Sequence, residues 1–373
     1  MNAPSARSAP CAPSAPFVPS ACTAPPPLPA QRGVPLSGRT TFGVGGPAAK
    51  LVDVTEVAHL REVLRVAAHD GEPVLVMGGG SNLLVCDAGF AGTVVHVAIK
   101  GRVVERLGGA VWRVTLGAGE DWANFVQECV SEGWSGVECL AGIPGLAGGT
   151  PVQNVGAYGE EVAQTIESVG VWDCLDRRAR RLPAAACRFR YRSSVFKRNQ
   201  RYVVTDVSFR LARSRVSQPL SYAELAAALG CALGAEVPLA EVSEAVLVLR
   251  RGKGMLLDPD DPDTRSAGSF FTNPVMGPGQ LARLRQRAPG VPAFVAAPLA
   301  KVPAAWLVEH AGFHRGYGLG SAAISSKHAL AITARTGATA DDVLLLARAV
   351  RDGVQRRFGV VLQPEPALVG LHL

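Results

Sequence analysis

Residues 139–159, CLAGIPGLAGGTPVQNVGAYG, are rich in glycine and carry no charged side chain. Glycine weakens helices and strands, and it is favoured where the backbone takes positive φ or passes very close to another group. A core element is therefore a poor reading of this stretch. A tight loop laid against a flat or anionic ligand fits better, because bare amides supply donors and Thr150, Gln153 and Asn154 add short polar side chains. The competing reading is a surface loop with no ligand. The apolar Ile143, Leu146, Val152 and Val155 argue against it.

A second loop of the same kind lies upstream. A strand predicted over 73–77 runs straight into Gly78-Gly79-Gly80-Ser81-Asn82, followed by the apolar Leu83-Leu84-Val85. Successive bare amides after a strand can form a concave anion site, with Ser81 and Asn82 as further donors; a plain hairpin turn is the alternative. Apolar runs predict strands over 93–99, 103–107, 111–116, 166–174 and 203–211. Helical spacing after Thr55 (Val57, Leu60, Leu64, Ala67, stopped at Gly71) and over 121–132, ended by Gly133, adds two helices. The pattern predicts an α+β domain with both glycine loops inside it. Gly43-x-Gly45-x-x-Ala48 matches a loose dinucleotide fingerprint, but neither a preceding strand nor a following helix is read there, so the match is taken as accidental.

The chain has 373 residues, is 48% hydrophobic and 18% charged, and is long enough for two or three packed domains. Residues 1–34 are mostly Ala, Pro and Ser without periodicity and predict a disordered tail. The sequence shows no bilayer-length apolar run and no signal-peptide core, which predicts a cytoplasmic protein without membrane contact. Eight cysteines include no Cys-x-x-Cys pair and seven histidines form no ligand cluster, so no metal site is predicted. The net charge of +7 comes with arginines scattered along the chain, which favours an anionic small substrate over nucleic acid.

The segment 187–197, CRFRYRSSVFK, alternates Arg188, Arg190 and Arg192 with Phe189 and Tyr191, which on a strand puts the arginines on one face. A solvated edge strand is the plainer reading. Beyond Ser214 the pattern turns helical over 222–229, 239–251 and 278–287, predicting a separate domain. Its basic Arg250-Arg251-Gly252-Lys253 is not a P-loop, yet it suits a diphosphate. A helix is predicted around 306–311, a glycine turn over 316–320 and a strand over 329–334. Thr339 with Asp342 makes a capping box for a helix to about Phe358. Near the end, Pro364 and Pro366 hold φ on either side of Glu365 and aim its carboxylate.

Taken in order, TTFGVGG, VLVMGGGSNLLV, AGIPGLAGGTPVQNVGAYG, CRFRYRSSVFK, SAGSFFTNP and QPEPALVG resemble the UDP-N-acetylenolpyruvoylglucosamine reductase family from about Gly38 to Gly370. The resemblance implies a two-lobed FAD-binding domain of the vanillyl-alcohol-oxidase-like kind plus a smaller α+β substrate-binding domain. It implies lobe 1 over 35–101 completed by 359–373, lobe 2 over 102–213 and the substrate domain over 214–358. It further implies an NADPH-dependent, monomeric flavoenzyme that reduces UDP-N-acetylglucosamine enolpyruvate in peptidoglycan precursor synthesis. By the same likeness Ser269 is the proton donor, and Arg192 and Glu365 polarise the substrate carboxylate. Gly78, Gly79, Gly80, Ser81, Asn82, Leu83, Ile143, Pro144, Gly145, Gly148, Gly149, Thr150, Asn154, Gly156, Ala157 and Tyr158 hold FAD. Tyr191, Tyr222, Arg250, Lys253 and Asn273 meet the substrate, Tyr222 as the lid tyrosine of one subclass. The chain departs from the family in Thr272, where lysine is common, in the longer acidic run 258–263, and in the absence of a glutamine at 316–321. Two other readings stand beside this one: an FAD-dependent oxidase or dehydrogenase of the same fold, and a non-catalytic nucleotide-binding regulator. Neither glycine loop holds a histidine of the kind that tethers flavin in many such oxidases, and a regulator has no need of Ser269, Arg192 and Glu365 together.

Overall fold

The computed structural model describes residues 29–373. Most of the predicted tail, 1–28, lies outside the described residues, but its end does not follow the expectation: Gln31–Pro35 is a strand. It pairs antiparallel with Pro47–Val54. That second strand was not read from the sequence, because Lys50 and Asp53 break its apolar run. Lys50 pairs with Glu72, and Asp53 meets Arg39 and His96, so both charges are satisfied by distant residues. Pro47–Val54 and Val74–Met77 both lie parallel to Phe90–Val97, completing a four-stranded sheet. The helix Val57–His69 starts one residue later than a Thr55 cap would place it, with Glu56 at the N-cap. Near the carboxy terminus, Ala367–Val369 pairs parallel with Leu83–Val85, directly after the first glycine loop.

The second sheet is antiparallel, ordered Arg178–Pro183, Ile166–Asp173, Tyr202–Arg213, Val111–Gly117, Arg102–Gly108, with Trp134–Ser135 beside the long strand. Against it packs the helix Trp122–Glu132, capped by the Asp121 carboxylate on the Asn124 amide and closed by left-handed Gly133. Its Trp122 and Phe125 stack on Phe209 in the largest core.

The break expected at Ser214 is not a break in packing. Ala223–Ala228 and Leu239–Gly252 bury Leu225, Val242 and Val246 in the same core as the second sheet. Their apolar faces are complementary to lobe 2, so a change of sequence style from strand to helix did not mark a new core. A separate core begins beyond them. Phe270, Phe271, Leu307, Ile332, Leu362 and one face of the helix Ala340–Phe358 form it, joined by Phe42 and Leu84 from the other end of the chain. The Thr339–Asp342 capping box opens that helix as predicted. The helix Pro278–Arg287 also has the predicted bounds, whereas the strand predicted over 329–334 shortens to Ile332–Ala334.

Among the described residues, no helix is long and apolar enough to cross a membrane.

Candidate active site

The two glycine loops touch. A side chain on Gly79 would lie 3.0 Å from the Gly145 Cα, and one on Gly145 would lie 2.8 Å from Ser81 Oγ. Gly80 takes φ +63 and would strike the Arg39 carbonyl at once if it bore a Cβ. Only glycine lets the backbones close to this distance. Asn82 Nδ2 donates to Gln153 Oε1 at 2.5 Å and so ties one loop to the other. Among the described residues, the amides of Gly79, Gly80, Ser81 and Asn82 find no acceptor. A row of free donors at a seam with open space beside Gly149 suits a diphosphate and its flat head group. These residues fit FAD.

Not every polar side chain in the second loop faces that seam. Thr150 Oγ1 donates to the Ala147 carbonyl, and Asn154, 1% exposed, donates to Glu161 and the Arg190 carbonyl and accepts from the Ala163 amide. The short side chains expected to be offered to a ligand brace the loop from within instead. Beneath it, Glu160 accepts from the Cys139 amide, and burial, with Glu138 as a neighbouring charge, pushes its carboxyl up to about 8.

The arginine-rich segment is not a strand. Arg188, Arg192 and Arg198 all have φ near +50, and Arg190 and Ser193 exchange backbone bonds across a tight turn. Sequence alternation suggested the strand, but the turn aims Arg192 inward: Nη2 donates to the Gly156 carbonyl at 2.6 Å, and Lys197 Nζ caps the Arg192 carbonyl. Arg192 Nε sits 3.0 Å from Glu365 Oε1 yet is not aligned for a hydrogen bond, so a donor stays free in a buried place. Burial raises the Glu365 carboxyl above its ordinary range, and Arg192 and Lys197 oppose that rise. Tyr191 Oη accepts from the Asn273 amide, which brings the substrate-side Asn273 against the same turn.

Ser269 reaches the centre by backbone zippering. Phe270 donates to the Leu330 carbonyl, and Glu365 donates to the Phe270 carbonyl at 2.8 Å, so residues 269–271 run between two neighbours. This is how Ser269 and Glu365, far apart in sequence, come onto adjacent backbones. Gly268, at φ +71, leaves open space beside the serine.

Tyr222, 41% exposed, packs edge-on against Tyr158, whose hydroxyl burial pushes up to about 12. Lys253 Nζ lies over the Tyr158 ring and pairs with Glu224 at 2.6 Å. Arg250 is only 7% exposed and, among the described residues, finds the Met255 carbonyl but no carboxylate and keeps Nε without a partner. Burial depresses its pKa to about 10. A cleft of about 840 Å³ opens from Tyr191, Arg192 and Asn273 past Lys197, Arg198, Arg283 and Arg287, with no acid on its walls. The residue that sequence reasoning missed is His328, whose Nε2 is 3.1 Å from Ser269 Oγ. No spacing signal marks it, since the two meet only through the tertiary fold.

Two lobes that press their glycine loops together beside a partly buried arginine, glutamate and serine define a flavin-binding oxidoreductase. Residues 48–176 match the FAD binding domain family, and residues 260–369 match the C-terminal domain of UDP-N-acetylenolpyruvoylglucosamine reductase. UDP-N-acetylenolpyruvoylglucosamine reductase of Thermobifida fusca is 52% identical over 350 residues, covering 92% of this chain and 98% of its own. That of Salinispora arenicola is 50% identical, covering 91% and 95%. The crystal structure of the Thermus caldophilus reductase superposes with a TM-score of 0.62 at 29% identity, over 92% of this chain and 99% of that one. The chain belongs to the UDP-N-acetylenolpyruvoylglucosamine reductase family, and FAD is its cofactor.

Proposed function

We propose that the protein reduces the enolpyruvyl group of UDP-N-acetylglucosamine enolpyruvate to give UDP-N-acetylmuramate for peptidoglycan, with NADPH as reductant. The pairing of Arg192 and Glu365 beside Ser269 carries this reading. FAD, when bound at the two glycine loops, supplies the hydride that passes from NADPH to C3 of the substrate. Charge then develops at C2, conjugated with the substrate carboxylate, and must be stabilised and quenched by a proton.

The chain's own groups suit those tasks. Arg192 is clamped to the Gly156 carbonyl, so its remaining N–H groups can hold a carboxylate without reorganising. Glu365 fixes the guanidinium from the other side. Ser269 offers a hydroxyl proton from a rigid backbone with open space beside Gly268. Arg250, Lys253 and Asn273 are assigned to the substrate and its diphosphate. The unpaired Nε of Arg250 is the strongest support, because a buried cation without a carboxylate is costly until an anion arrives. Tyr222 is assigned to the lid on the strength of its exposed ring against Tyr158. We assign residues 35–101 and 359–373 to lobe 1, 102–213 to lobe 2 and most of 253–358 to the substrate side, and we read the protein as a cytoplasmic monomer.

The test is anaerobic. Purified protein is mixed with NADPH while flavin absorbance is followed, and UDP-N-acetylglucosamine enolpyruvate is then added. Bleaching by NADPH and recolouring only on adding that substrate is the expected result. Bleaching without recolouring would move the substrate elsewhere, as for an oxidase of this fold.

A further inference from the structure

We propose that His328, as a neutral imidazole, donates its Nε2–H to Ser269 Oγ and thereby acts as the positioning residue for the proton donor. The inference rests on the reading of Ser269 given above.

The contact is a built one. Ser269 Oγ and His328 Nε2 are 3.1 Å apart, and the antiparallel bridge between Ser269 and Ala331 sets that distance from the backbone. The turn that carries His328 is fixed from beneath. Ser325 Oγ accepts from the Lys327 and His328 amides. Asp263 accepts from the Ser326 amide and hydroxyl and pairs with Arg335, and Asp261 holds Lys327. Asp261 and Asp263 of the acidic run 258–263 thus anchor the turn that carries His328.

A serine hydroxyl has one hydrogen. If it donated that hydrogen to the imidazole, none would remain for the substrate carbon. With Nε2–H as the donor, the serine hydrogen is free to point at the open space beside Gly268, and the alkoxide left after transfer is met by an N–H already in place. Burial first, and then the positive Lys253, push the imidazole down to about 4, so it is neutral at working pH and its hydrogen-bond role is set by its tautomer. No bond to carbon or flavin is made by the histidine. It acts only through the serine.

The experiment uses the FAD-loaded enzyme in single turnover, with reduction by NADPH and reoxidation by the enolpyruvyl substrate timed separately. Four variants are compared: His328→Asn, which is too short to reach Ser269, His328→Gln, Ser269→Ala and the His328→Asn/Ser269→Ala pair. His328→Asn is expected to slow reoxidation by roughly 10–100-fold, the range an orienting partner carries, with reduction unchanged. His328→Gln retains a donor at similar reach and should restore most of the rate. In the Ser269→Ala background, His328→Asn should add nothing. Wild-type reoxidation in His328→Asn, with Ser269→Ala severely slowed, would overturn the role of His328 alone. Equal slowing by His328→Asn with and without the serine would also overturn it, because the histidine would then act elsewhere. An intact rate in Ser269→Ala would overturn the donor and its positioner together.

Discussion

The two halves of the candidate site are both partly buried, and they differ in the charges gathered round them. Around Arg192, charges of both signs are gathered: Glu365 lies on one side, Lys197 caps the carbonyl, and the arginine opposes the rise that burial imposes on the carboxyl. Ser269 contacts His328, which burial, and then the positive Lys253, keep neutral. In the proposed reaction the first half meets the substrate carboxylate and the second releases a proton. The difference teaches that, under that proposal, the two tasks fall to different side chains on neighbouring backbone segments. Burial works against the charged form in both: it raises the Glu365 carboxyl despite Arg192, and it leaves the serine dependent on a donor such as His328 Nε2 to meet the alkoxide.

That contrast can be broken by experiment. The largest effect is expected from Ser269→Ala, a loss of about 10³-fold in flavin reoxidation by substrate, seen by stopped-flow absorbance with reduction by NADPH retained. Next comes Arg192→Lys, which keeps the charge and loses the fork; a fall of about 10²-fold in kcat/KM is expected, and near-wild-type activity would show that charge alone suffices. Arg250→Met sharpens the comparison from outside both halves. Removing an unpaired buried cation should leave thermal stability unchanged or raised while increasing substrate KM about tenfold, and lower stability with unchanged KM would show a purely structural role. Gly79→Ala should weaken FAD retention by roughly tenfold, because its Cβ would sit 3.0 Å from Gly145 and prise the loops apart.

The smallest effect tests a buried acid in neither half. Glu160 has its folded pKa raised to about 8, so it keeps its proton in the native state after the unfolded chain has lost it. The stability it contributes is present below about 4.5 and is lost as pH rises towards 8. Glu160→Gln should therefore flatten the decline of melting temperature across that window. An unchanged slope would mean that Glu160 does not titrate there.

Much of the frame was legible where the deciding physics is local. Asp121 caps its helix and Gly133 ends it, and Thr339 with Asp342 opens another, because a cap needs only residues within one turn. The two glycine loops were legible as loops for the same reason. The strand Pro47–Val54 was not, since Lys50 and Asp53 look exposed until Glu72, Arg39 and His96 are brought to them. Alternation in RFRYRSS mimicked a strand, while left-handed backbone at Arg188 and Arg192 makes a turn. Arg192, Glu365 and Ser269 were read as a set from resemblance, but their approach depends on Phe270 bonding to both Leu330 and Glu365.

By itself, then, the sequence determined most of the helices, several strands, the Thr339 capping box and the glycine loops, because these follow from neighbours a few residues away. Only the tertiary structure decided that Gly79 meets Gly145, that the helices after Ser214 pack on the second sheet, and that His328 stands against Ser269. Those contacts join residues tens of positions apart. Their energy depends on shape, burial and charge compensation between elements, none of which a local pattern of residues contains.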